Sequence, residues 1–329
     1  MKYKKLNNTE LSVSPVCMGT VNYGTDMSES ESKAQMSKFL DDGGNFFDTA
    51  QIYGAWGNGF ECLSEHVIGN WFKESGNRNK VVLATKGAHP EWNYMDKPRV
   101  SAKCINEDLE GSLRLLNTDY IDLYFLHRDD PNTPVSEIME CLDAARKAGK
   151  IRHYGCSNWQ LPRIKEAQDY CNASGLEGFV CNQLMWSLAD INFYNLPDKS
   201  FILMDKETHT YSAETGMNIM AYMSVAKGYF TRRAAGEKLP ESVSSVYDSP
   251  SNDIIFEHLV SIVEKGKYNY IDLALMYIIA EELFPAIPIA SFDNMNQLHE
   301  CIECMEKPVP TDIISELSKL KKFTYWEEL

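Results

Sequence analysis

Ile121-Asp122-Leu123-Tyr124-Phe125-Leu126-His127 is a strand-length apolar run that ends on an imidazole. Strand side chains alternate between faces, so Leu123, Phe125 and His127 share one face. Two earlier runs repeat the design. Gly44-Asn45-Phe46-Phe47-Asp48 puts Phe46 and Asp48 on one face, and Val81-Val82-Leu83-Ala84-Thr85-Lys86 does the same with Val82, Ala84 and Lys86. Tyr53 follows the first of these in Thr49-Ala50-Gln51-Ile52-Tyr53-Gly54. Each run therefore carries a polar group beyond an apolar inner face, which in an eight-stranded α/β barrel is the catalytic end.

Working outward, short apolar runs alternate with helical patterns. Strands are expected near 15–18, 45–48, 81–86, 121–126, 153–157, 179–183, 218–222 and 286–289. Helices are expected near 30–42, 61–74, 101–116, 135–148, 161–174, 205–215, 254–282 in two pieces, and 295–304. Repeated βα units imply a parallel sheet with crossover helices, and eight of them imply closure. The expected fold is thus α/β, a (β/α)8 TIM barrel forming one domain over 1–329, with a hairpin cap at 1–14 and an extra C-terminal helix from Thr311 to Lys322. Two long connections interrupt the pattern, 187–204 and 229–253. The second holds Arg232, Arg233, Gly236, Lys238, Pro240 and several serines, which reads as too polar for core and as a cofactor lid.

A net charge of −15 and a pI near 5.0 argue against nucleic acid or an anionic membrane as partner, since both need basic patches. Nine scattered cysteines suit a reducing compartment, so the expected location is cytoplasmic. Cys301 and Cys304 form a CxxC on a helical pattern with no second pair, which favours neither zinc nor redox work. The first residues lack the apolar core of a signal peptide, and no run approaches 18 apolar residues.

The chemistry follows from the residue types. A phenol with an ordinary pKa of about 10 is a poor acid at neutral pH, but a nearby ammonium favours the phenolate. Tyr53 is then the acid, Lys86 its tuner, Asp48 the carboxylate that offsets the buried ammonium, and His127 a donor that orients a substrate carbonyl. There is no nucleophile in the set, so a proton goes to oxygen while another group supplies hydride. No GxGxxG opens a helix after a strand, so a nicotinamide must sit in the barrel's own loops. Ser157 and Asn158, with Asn182 and Gln183, offer amide and hydroxyl partners for a carboxamide, and Trp186 offers a stacking face. Substrate is expected to be rimmed by His127, Trp56, His89, Trp92, Trp159 and Tyr229, with two of the aromatics only packing loops. Such walls suit a neutral aldehyde, ketone or sugar.

The runs GGNFFDTAQIYG (43–54), VVLATK (81–86), DYIDLYFLHR (119–128) and GCSNW (155–159) resemble the aldo-keto reductase superfamily in order and spacing, from Gly19 to about Glu303. The resemblance implies that Asp48, Tyr53, Lys86 and His127 form a catalytic tetrad, with Tyr53 the acid in reduction and the base in oxidation. It implies nicotinamide contacts at Asp48, Ser157, Asn158, Gln183 and Trp186, the last replacing a more usual Tyr. It also implies a pyrophosphate loop at Ser224, Ala226, Lys227 and Gly228, with Val225 where proline is usual. Gly19, Thr20, Ser291 and Gln297 complete the set. Asp293 falls where NADP-dependent members carry an arginine, which leaves NAD(H) or NADP(H) as cofactor with a lean to NAD(H); a shift of one would put Asn294 there, and Lys227, Arg232 or Arg233 could supply the missing positive charge.

Other classes fit less well. A metal-dependent hydrolase wants paired histidines after the first strand, where Met18-Gly19-Thr20 stands. A Schiff-base aldolase needs a neutral Lys86, which Asp48 opposes. The remaining rival is a nicotinamide-binding regulatory subunit resembling the potassium-channel β subunits, although nothing in the sequence suggests a membrane partner. The oligomeric state, monomer or homo-oligomer, stays open.

Overall fold

Eight strands, β3 (Cys17–Gly19), β4 (Phe46–Asp48), β5 (Val82–Gly87), β6 (Ile121–Leu126), β7 (Ile151–Ser157), β8 (Cys181–Met185), β9 (Asn218–Tyr222) and β10 (Ala286–Ala290), run parallel in chain order, and β10 pairs with both β9 and β3 to close a barrel. This is the expected (β/α)8 architecture. The computed structural model describes residues 2–55 and 62–321.

Strand alternation sorts the apolar residues into two cores. Inside the barrel, Cys17, Phe46, Ala84, Leu123, Phe125, Cys181, Met220, Ile287 and Ile289 form one cluster. Space for Phe125 depends on Gly155, where a Cβ would lie 2.6 Å from the Phe125 ring and 2.5 Å from the Cys181 carbonyl oxygen. The hairpin of β1 (Lys4–Lys5) and β2 (Ser12–Val13) plugs one end, with Leu6, Leu11 and Val13 joining that interior cluster. The larger core lies between the outer face of the barrel and its helices.

The helices are α1 (Glu29–Asp41), α2 (Leu63–Ser75), α3 (Ala102–Leu115), α4 (Val135–Lys147), α5 (Leu161–Ser174), α6 (Lys206–Thr215), α7 (Tyr229–Ala234), α8 (Glu241–Tyr247), α9 (Pro250–Val263), α10 (Tyr270–Ile279), α11 (Met295–Glu306) and the extra α12 (Thr311–Leu320). Boundaries follow local signals. Ser28 and Glu31 form a capping box on α1, and the Asn294 side chain accepts from the first amides of α11.

The 229–253 connection differs from the polar loop expected. It folds into α7 and α8 and buries Tyr229, Phe230, Val243, Val246 and Tyr247. The apolar residues recur at helical spacing beneath a polar surface. The CxxC thiols sit buried on α11, and burial pushes that of Cys301 up to about 12.

Candidate active site

The strand register assembles the tetrad. Asp48 lies opposite Ala84, Lys86 opposite Phe125, and His127 follows two residues after Phe125, so neighbouring strands present polar groups successively higher on the inner wall. Lys86 is fully buried, and its Nζ donates to Asp48 Oδ2 at 2.7 Å, to the Thr49 carbonyl at 2.7 Å and to Tyr53 OH at 3.2 Å. An ammonium has three N–H bonds, and all three are used. Because Lys86 is the donor to Tyr53, the phenol keeps its own proton to give. Asp48 Oδ1 accepts from Gln183 Nε2 at 2.8 Å, which fixes the carboxylate from its other side.

The electrostatics refine one expectation. Burial opposes the Lys86 charge, yet Asp48 and Tyr53 outweigh it and hold the ammonium above its ordinary pKa. For Tyr53, burial is the largest effect and raises the phenol pKa, while Lys86 pulls it down only in part. The tuned phenol is therefore a protonated donor at neutral pH, not a phenolate. The His127 pKa is pushed well below the usual imidazole range by burial and by His89, Arg128 and Lys86. Its ring centroid lies 6.0 Å from that of Tyr53 and 4.7 Å from that of His89. His127 Nδ1 is buried without a partner among the described residues, so a neutral ring is best protonated on Nε2.

Three groups that the sequence reading missed complete the mouth. Tyr222, two residues beyond Met220 on the inner face of β9, donates to Asn158 Oδ1 at 2.6 Å. Phe201 packs on Tyr222 with ring centroids 5.8 Å apart. Buried Arg128 donates to the His127 carbonyl at 2.8 Å, to Ser200 Oγ at 2.9 Å and to Asp198 Oδ2 at 2.9 Å.

The Aldo/keto reductase family is matched over residues 15–322. This chain belongs to that family. It is similar to "Uncharacterized oxidoreductase YrpG" of Bacillus subtilis, 31% identical over 97% of this chain and 96% of the relative. It is also similar to "Probable voltage-gated potassium channel subunit beta" of Oryza sativa, 30% identical over 73% of this chain and 69% of that one. The solved aldo-keto reductase AKR11C1 from Bacillus halodurans (holo form) is 26% identical, with a TM-score of 0.78 over 100% of this chain and 99% of that one.

In this aldo/keto reductase the expected cofactor contacts take the following places. Ser157 pairs in register with Gln183, and Asn158, at φ 59°, donates to Ser157 Oγ and accepts from Tyr222 and the Ile202 amide. Gly19 abuts the last strand so closely that a Cβ would lie 2.6 Å from Ser291 Oγ. Ser224 donates to the Ile289 carbonyl, and the backbone after it turns through positive φ at Ala226, Lys227 and Gly228. Asp293 and Gln297 are exposed at the start of α11, the Asp293 amide donating to Gln297 Oε1. Thr20 is a strut, its hydroxyl tied to the Asp48 carbonyl and Ser64.

Other expectations are not met. Trp186 does not face the tetrad; it is buried in the outer core against His209, Tyr277 and Phe284. Tyr222 is the aromatic at the inner strand end. Trp159 is wholly buried against Phe179 and donates to the Arg128 carbonyl, and buried Tyr229 packs on Tyr247 and accepts from Arg233, so neither rims the mouth. His89 does line the site, Trp92 is about half exposed, and Trp56 lies outside the described residues.

Proposed function

We propose that this aldo/keto reductase carries out reversible, nicotinamide-dependent reduction of a small carbonyl compound to the alcohol. The observation that carries this reading is the Lys86 ammonium bridging Asp48 and Tyr53 at the inner strand ends. A nicotinamide fits the donor set: Ser157, Asn158 and Gln183 supply amide and hydroxyl groups for a carboxamide, and Tyr222 supplies a ring face. When bound, that cofactor supplies hydride. Tyr53 gives its proton to the carbonyl oxygen, the protonated Nε2 of His127 orients the same oxygen, and Lys86 stabilises the phenolate left behind. Oxidation of an alcohol runs the same roles backwards.

NAD(H) is the favoured cofactor. The Asp293 carboxylate repels a 2′-phosphate and accepts from a free ribose hydroxyl. Arg232 and Arg233 are already engaged, with Glu237 and Asp253, and so do not substitute for the missing positive charge. Lys227 stays exposed and counts against this preference.

The likeness to a protein described as a channel β subunit favours a second reading, a cofactor-binding regulatory subunit. Steady-state assays of aldehydes, ketones and sugars with NADH and NADPH separate the two. Sustained turnover supports the reductase, and tight cofactor binding without turnover of any carbonyl supports the regulatory subunit.

A further inference from the structure

Two side chains beside the tetrad are only part-satisfied, and their missing partners are complementary. His89 is buried, and its Nδ1 lies 2.7 Å from the Pro90 carbonyl oxygen. A carbonyl only accepts, so Nδ1 carries the proton, and Nε2 of the neutral ring is an acceptor with no partner among the described residues. Burial first, then Arg128, pulls the His89 pKa down to about 4, so this tautomer holds at neutral pH. Arg128 has five N–H bonds and spends three, on His127, Ser200 and Asp198. One N–H on each terminal nitrogen is left without a partner among the described residues. Both groups adjoin His127: the His89 ring centroid is 4.7 Å from that of His127, and Arg128 Nη1 is bonded to the His127 carbonyl.

We propose that Arg128 and His89 form a hydroxyl-reading pair, and that the substrate carries a hydroxyl on the carbon next to its carbonyl. The inference rests on the reductase reading above. A hydroxyl is the simple group that accepts from Arg128 and donates to His89 Nε2 at once. A carboxylate or a second keto oxygen has no proton for His89. Asp198 already balances the Arg128 charge, which removes the reason to recruit an anion. An apolar substituent leaves His89 Nε2 and the two spare N–H bonds of Arg128 without that partner, and a site built to hydrogen-bond a hydroxyl rejects an analogue lacking it. In the reaction the carbonyl carbon gains a hydride and its oxygen the Tyr53 proton, the nicotinamide is oxidised, and the neighbouring hydroxyl is retained, so the product is a 1,2-diol.

The test compares 2-hydroxypropanal with 2-methylpropanal, which differ by a hydroxyl in place of a methyl. Wild-type kcat/KM should favour the hydroxyaldehyde by roughly tenfold or more. Arg128→Met and His89→Phe should each move that ratio toward one, mainly through the KM of the hydroxyaldehyde, and intrinsic reactivity cancels in the comparison with wild type. Arg128→Lys, which keeps a donor, should retain part of the ratio and serves if the methionine variant fails to fold. A wild-type ratio near one, or a ratio unchanged in the variants, overturns the pair while leaving the reductase reading standing. Failure to reduce either aldehyde or any other carbonyl with either cofactor overturns both.

Discussion

At the hairpin end of the barrel His153 engages both ring nitrogens, Nδ1 with Glu177 at 2.9 Å and Nε2 with Glu10 at 2.7 Å, whereas at the open end His127 leaves Nδ1 without a partner and His89 leaves Nε2 without one among the described residues. The pKa directions follow. Burial lowers that of His153, but Glu177 and Glu10 outweigh it and the net shift is upward; burial and neighbouring positive charge drive both open-end rings down. A structural imidazole is satisfied by the fold. An imidazole kept neutral and short of partners costs stability and so points to a ligand that completes it.

The largest break in this contrast is Lys86→Met. It strands Asp48 in the barrel, and removing one partner of a buried pair typically costs about 3–5 kcal/mol. Carbonyl reduction should fall by at least the ~10²–10⁴ that a general acid contributes, with any residual alcohol oxidation moved to higher pH as the phenol loses its cation. Calorimetry and pH–rate profiles check both, and adding Asp48→Leu should recover stability without recovering activity.

His127→Phe sharpens the contrast. Turnover should fall by roughly 10²-fold as carbonyl orientation is lost, yet thermal stability should hold or rise, because an unpartnered polar atom is replaced by ring carbon. A large drop in Tm would make His127 a structural residue like His153.

Asp293→Arg addresses the rim. If the carboxylate disfavours a 2′-phosphate, the kcat/KM ratio of NADPH to NADH should rise by about tenfold, the scale of a single charge-assisted contact. An unchanged ratio would place the determinant elsewhere.

The smallest effect is at the closed end. His153 has a raised folded-state pKa, so its contribution is fully present below the ordinary imidazole value of about 6.5 and is lost as pH rises through the folded value. His153→Phe should therefore cost about 1 kcal/mol below pH 6 and less at pH 9, with kcat unaffected. Denaturant midpoints at the two pH values decide it.

Much of this was legible because strands alternate. Phe46 and Asp48, Ala84 and Lys86, and Phe125 and His127 keep the inward parity that the sequence pattern suggests. The same rule, applied strictly, sorts the aromatics: Trp186 stands three residues from Gln183, an odd offset that turns it to the outer core, while Tyr222 stands two from Met220 and stays inside. Arg128 left no local signal, since its partners Asp198 and Ser200 are about seventy residues away in a connection without regular strand. In 229–253, buried residues at helical spacing were diluted by arginine and serine on the outer faces of two short helices and by Lys238 between them.

The central claim, that Tyr53 is the proton donor set by Lys86, is tested most directly by Tyr53→Phe, with kcat on a reducible carbonyl and cofactor affinity by fluorescence titration measured on the same protein. The expected result is a fall in kcat of roughly 10²–10⁴ with cofactor affinity retained. Retention of more than about a tenth of wild-type kcat, well short of what a general acid is worth, would contradict it.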